Sequence, residues 1–206
     1  MYLQMQYSQI KETYVEKRKG ERPQINLQIQ RVESSVWNFF KHHHYLTKEM
    51  NKGAKCFLFT WDDVPVGFIS FLNQPNKGKP NGMRFSRLVV LPDYQGLGLS
   101  GKILDFTSAI IKSLGDDYEV YAKAIHPQLG KFWSESPNWI PTAMNGKVRK
   151  KLDDEGSKYK HRLARPSFCY KYVGEPIYGY EELLKPINEL RKEKKMRDMK
   201  SQKSHI

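Results

Sequence analysis

Between Leu91 and Ile103 the chain reads Pro-Asp-Tyr-Gln-Gly-Leu-Gly-Leu-Ser-Gly-Lys. Glycine lets a main chain approach a ligand closely. A helix opening directly behind such a turn adds free N–H groups and the positive end of its dipole. The amides of Gln95, Gly96, Leu97, Gly98, Leu99, Ser100 and Gly101 therefore suit a phosphate or pyrophosphate. A plain strand-to-helix corner has the same composition, and both readings stand on residue types alone. Two other phosphate-binding patterns do not fit. Lys102 is followed by Ile103, not by the hydroxyl residue of a P-loop, and the third glycine lacks the spacing of a dinucleotide fingerprint.

Other residues could also do chemistry. His126 falls between a strand pattern and Pro127, where it could act as a general base or simply hydrogen-bond to backbone. Asp62 and Asp63 could be bases but fit a hairpin turn better. The run His42-His43-His44 points in diverging directions on a helix, and no carboxylate or cysteine follows at ligand spacing, so no metal is expected. Cys56 and Cys169 are the two cysteines. They are expected as buried, unpaired thiols on strands in a reducing compartment. Trp133 and Trp139 are expected in a core or pocket wall.

The elements that hold these residues follow from periodicity. Residues 1–22 suggest a charged, helical or loosely ordered lead-in, ended by Gly20 and Pro23. Ile25, Leu27 and Ile29 alternate with Asn26, Gln28 and Gln30, which predicts a half-buried strand over 25–32. Ser34 and Ser35 could cap a short helix carrying Val36, Trp37, Phe39 and Phe40, with a further turn over 46–50. Strands are predicted over 55–61 and 64–72, joined at Asp62-Asp63. A Pro/Gly/Asn loop over 73–82 follows, then a strand over 83–91 that Pro92 stops. Ile103, Phe106, Ile110, Ile111 and Leu114 predict a helix up to Gly115. A strand over 119–125, a helix over 127–134 opened by proline and a strand over 167–173 come next. A charged, solvated helix over 181–199 ends the chain. Its narrow stripe of Leu183, Leu184, Ile187 and Leu190 could dock partially or make a homodimer contact. Single helices between strands indicate a mixed α/β sandwich, not a doubly wound sheet.

With 206 residues, 39% hydrophobic and 13% aromatic, the chain suits one folded domain with an arm. No apolar run approaches the roughly 20 residues of a membrane span, and the start lacks the apolar block of a secretory signal. A cytoplasmic protein is expected. The net charge of +13 should attract anions without saying which; much of it lies in 147–160 and beyond Lys185.

The run Arg87-Leu-Val-Val-Leu-Pro-Asp-Tyr-Gln95-Gly-Leu-Gly-Leu-Ser-Gly101-Lys-Ile-Leu-Asp-Phe106 resembles the central motif of the GNAT superfamily of acyl-CoA N-acyltransferases, (Arg/Gln)-x-x-Gly-x-(Gly/Ala). Gln95, Gly98 and Ser100 occupy its positions. Ser100 departs from the pattern, with Gly101 directly after it. The hairpin from Asp62 to Phe68 is also similar, and the likeness extends more loosely from about Ile25 to Val173. It implies a central, mostly antiparallel sheet flanked by helices, with acetyl-CoA as acyl donor and an amine as acceptor by direct attack. The domain would span 23–180, with 181–206 as a basic tail.

Carried over by position, the resemblance puts the pyrophosphate on the amides of 95–101 and the pantetheine arm along the backbone of Leu88, Val89 and Val90. An amide near Val89 or Val90 would polarise the thioester carbonyl. His43, His44 and Tyr45, after the first helix, would line the acceptor pocket. Two departures bear on the chemistry. Where family members often carry a glutamate before the motif, this chain has Arg84, Ser86 and Arg87. Where many carry Asn-x-x-x-x-x-x-Tyr, it has His126 and Trp133, and an indole cannot protonate a thiolate. Three readings follow: an active N-acetyltransferase, a CoA-binding module without turnover, and an RNA- or DNA-associated protein suggested by charge alone.

Overall fold

Apolar residues recurring at every second position assemble a sheet of eight strands in the order β1-β2-β3-β4-β5-β6-β8-β7. The strands are β1 (Tyr2–Gln6), β2 (Gln24–Val32), β3 (Lys55–Trp61), β4 (Val64–Asn73), β5 (Asn81–Val90), β6 (Tyr118–Ala124), β7 (Trp139–Pro141) and β8 (Phe168–Tyr172). The helices are α1 (Trp37–Phe40), α2 (Leu99–Lys112) and α3 (Pro127–Glu135). The computed structural model describes residues 2–6, 24–44, 49–75, 80–147, 166–190, 192, 193 and 196. All neighbouring strands pair antiparallel except β5 and β6. That is the mixed, mostly antiparallel sheet with flanking helices expected from the sequence.

Strand alternation sends side chains to two separate cores. Ile25, Leu27, Phe57, Ile69, Met83 and Val120 point to one face, where Ile103, Leu104 and Ile110 of α2 and Trp133 of α3 cover them. On the opposite face, Trp37 and Phe40 of α1 pack with Cys56, Phe68 and Val89. After β8 the chain crosses back over α2: the Ile177 N–H donates to the Ala109 carbonyl, and Tyr180 meets Phe106 edge-on at 5.1 Å.

Several expectations need correction. Residues 2–6 form a strand, not part of a helical or loose lead-in, because the outer edge of β2 offers unpaired main-chain groups; the rest of the lead-in, 1 and 7–22, lies outside the described residues. Ser34 and Ser35 sit inside a 3-10 turn, and α1 takes Val36 as its N-cap with no side-chain cap. The loop over 73–82 is shorter than composition suggests, since β4 runs to Asn73, β5 starts at Asn81, and the Gln74 N–H donates to Gly82. β7 has three residues, too few to show a period. Residues 181–199 are not one solvated helix. Glu181–Leu184 is a 3-10 turn whose Leu183 and Leu184 are buried, Lys185 is extended ahead of Pro186 as that proline requires, and helical positions resume at 187.

Candidate functional site

The parallel pairing of β5 and β6 stops early. Asn81 to Arg84 pair with Tyr118 to Tyr121, and no later residue does, although β5 continues to Val90 and β6 to Ala124. The two strands part there, and the β6-side edge of β5 is left open while its other edge stays paired to β4. A bulge lies at the parting: Ser70 pairs with Arg87 and Phe71 with Phe85, so Ser86 is unpaired. A bulge of this kind re-aims the side chains after it. Met83 and Phe85 face the α2 core, and past the bulge Leu88 and Val90 do so, while Val89 faces the α1 core.

β5 then runs into the glycine-rich turn. A 3-10 turn over Pro92–Tyr94 comes first, and the Gln95 side-chain amide donates to the Val90 carbonyl at 2.9 Å, fastening the turn to the strand end. The Gln95 backbone N–H is engaged by the Pro92 carbonyl, which narrows the expected set of free amides to those after it. Gly96 and Gly98 take φ of +83° and +74°, left-handed values that favour glycine. A Cβ at either would meet nothing within 4 Å, so the turn borders open space. Gly98 is the N-cap of α2 and no side chain caps the helix, so the N–H groups of Leu99, Ser100 and Gly101 in its first turn have no intrahelical acceptor. The Leu99 side chain is buried, and Gly101 faces the Phe132 ring of α3. Open strand edge, glycine turn and uncapped helix start are thus contiguous.

The other singled-out residues lie in different places. His126 is the N-cap of α3, half-buried, with its carbonyl accepting the Gly130 N–H. His42 and His43 are exposed, and Tyr45 lies outside the described residues. His44 is half-buried and 5.2 Å edge-on to Trp37; burial first, and then the Arg87 charge, lowers its pKa to about 4. Trp133 is fully buried against Phe85, Trp139 and Tyr170. It is a core residue where the resemblance would put an acid. Asp62 and Asp63 have φ of +48° and +64° and make the two-residue hairpin turn. Cys56 and Cys169 are buried free thiols, and burial pushes Cys56 up to about 11 against the pull of Arg31. Among the described residues no three His, Cys, Asp or Glu cluster as metal ligands, and no helix is long and apolar enough to cross a membrane.

The α1-side face of the splay carries residues that the sequence reading left unassigned or missed. Arg84 lies between Met83 and Phe85 of the α2 core and pairs with Leu72 and Tyr121; Tyr121 in turn pairs with Lys171. These share a face across four strands, because cross-strand partners point the same way. Glu119, two positions from Tyr121, is buried and accepts from the Lys171 ammonium at 2.7 Å and from the Tyr121 hydroxyl. The available signal was a polar residue at every second position of β6, opposite Val120 and Ala122.

A family description, acetyltransferase (GNAT) domain, matches residues 23–128. No curated protein sequence matches the chain. Among solved structures, a spermidine N-acetyltransferase from Vibrio cholerae superposes with a TM-score of 0.52 at 9% identity, over 71% of this chain and 93% of that one. Naa50 from Arabidopsis thaliana, in complex with a bisubstrate analogue, superposes at 0.50 and 15% identity, over 72% and 99%. The ribosomal-protein-S18-alanine N-acetyltransferase from Escherichia coli does so at 0.50 and 14%, over 74% and 99%. At these identities the likeness concerns the fold.

Proposed function

The chain belongs to the GNAT acetyltransferase family, and we propose that it transfers an acetyl group from acetyl-CoA to an amine by direct attack. The observation that carries this reading is the parting of β5 from β6 next to an uncapped helix start. The open space at Gly96 and Gly98 fits a ligand held by main chain. In this reading the amides of 96–101 hold the pyrophosphate, and the open edge of Leu88, Val89 and Val90 pairs with the pantetheine arm. An amide at Val89 or Val90 polarises the carbonyl. The side chain of Gln95 holds the turn in shape. Acetyl-CoA supplies an activated thioester: the amine lone pair forms the C–N bond, the C–S bond breaks with its pair on sulfur, and the nitrogen's proton ends on that sulfur, directly or through water. The acyltransferase unit then runs from about 23 to the buried Leu184, slightly beyond the end expected from sequence.

Acetyl-CoA should stabilise the fold by about 2.7 kcal/mol at a hundredfold excess over Kd, and so raise the melting temperature. Gly98→Val should remove that shift, since its Cβ would stand in the open space and valine resists the left-handed φ. An undiminished shift in a folded variant would refute the placement. Burial of Trp133 where an acid is common supports a second reading, a module that binds acetyl-CoA without turnover. Thiol release over an amine panel separates the two.

A further inference from the structure

Arg84 is a half-buried cation that no described residue neutralises. Its Nε is out of contact with solvent and lacks a hydrogen-bond partner, and its guanidinium makes no ion pair or hydrogen bond among the described residues. A guanidinium in that condition loses hydration without compensation, and carboxylate or phosphate oxygens restore it best, because the fork matches them. Arg84 is also the last β5 residue paired to β6, so it sits at the floor of the splay, on the face shared with α1.

Apart from Glu119, the charged strand residues of that face are cationic, and Arg87 also donates to the Glu49 carbonyl. Arg84 and Arg87 flank the bulge, Lys171 stands in the same cross-strand row, and Lys123 follows Tyr121 on the same side of β6. Within the strands β4, β5, β6, β7 and β8 themselves the one acidic residue is Glu119, and it is already engaged by Lys171 and Tyr121. Resting on the acetyltransferase reading above, we propose that the acceptor is an amine that also carries an oxyanion, a carboxylate or a phosphate, and that Arg84 holds this group.

The same charges serve the reaction. Direct attack requires the neutral amine. Like charges nearby disfavour an ammonium ion and lower its pKa; with Arg84 offset by the oxyanion it holds, Arg87 is the charge that favours loss of the acceptor's proton to water before the C–N bond forms. An anionic group on the acceptor lets it enter a field that repels a polycation.

The experiment uses matched amines: phosphoethanolamine against ethanolamine, 4-aminobutyrate against butylamine, and spermidine as a polycation. Thiol release from acetyl-CoA and the melting shift each amine causes in the presence of CoA are both measured. The anionic member of a pair should be preferred by about ten- to hundredfold, the worth of a charge-assisted contact. Arg84→Met should erase the preference through KM, and Arg84→Lys should restore part of it. The pairs separate phosphate from carboxylate. Preference for the neutral amines or spermidine, or an anion preference untouched by Arg84→Met, would overturn the proposal; so would the absence of both turnover and any anion-dependent melting shift. A protein that shows no melting shift with acetyl-CoA itself would instead fail the acetyltransferase reading.

Discussion

At His44, burial and the Arg87 charge act in one direction, holding the folded pKa near 4 against an ordinary 6.5. As pH falls from 6.5 toward 4, the unfolded chain takes up a proton that the folded one refuses, so this contribution to stability is present above 6.5 and lost through that window. His44→Gln should therefore melt close to wild type at pH 7.5 and gain on it as pH drops to 4; parallel curves would show that His44 titrates normally. His126 is a different case. It caps α3 through its backbone, and His126→Ala should lower kcat by less than about tenfold, against the 10²–10⁴-fold of a true general base. A larger loss with acetyl-CoA affinity intact would make it catalytic. The glycine turn was legible in the sequence because its requirement, positive φ beside open space, is written in residue types. Arg84 was seen only as the lack of a glutamate, since its row with Tyr121 and Lys171 depends on the register of strands far apart in the chain.

Among the elements, α3 is held by close approach. A Cβ on Gly130 would lie 2.5 Å from the Phe168 ring of β8, and Trp133, one turn on, is fully buried. Gly130→Ala should force α3 off β8 and cost about 1–3 kcal/mol, as overpacking does; denaturant melts would read it, and an unchanged midpoint would mean that the Phe168 ring simply turns aside. The hairpin of β3 and β4 and the cores of α2 and α3 could be read in advance because period and turn chemistry are local. β1 and β7 could not. One is five residues at the head of a charged stretch and gains its order from an edge it must find, and the other is three residues long. The parting of β5 from β6 has no local signature at all; both strands run on past their last pair, and sequence patterns describe strands one at a time.

For the whole molecule, the buried Leu183 and Leu184 move the edge of the folded unit. Their turn packs against α2 and β2, so truncation after Leu190 should leave the melting temperature nearly unchanged. Truncation after Tyr180 should lower it sharply, since losing a buried leucine side chain costs about 2–5 kcal/mol. Equal melting of the two truncations would return the turn to the tail. The open edge of β5 has one more consequence, which concerns tolerance of change. A cleft walled by main chain asks each residue along it for an extended backbone and a side chain that suits its core, and for little else. Such a wall can be rewritten position by position and keep its acceptors and donors in place. Superposition with solved acetyltransferases at 9–15% identity is what such a wall permits. The strict demands on residue type then fall on Gly96 and Gly98, whose left-handed φ favours glycine.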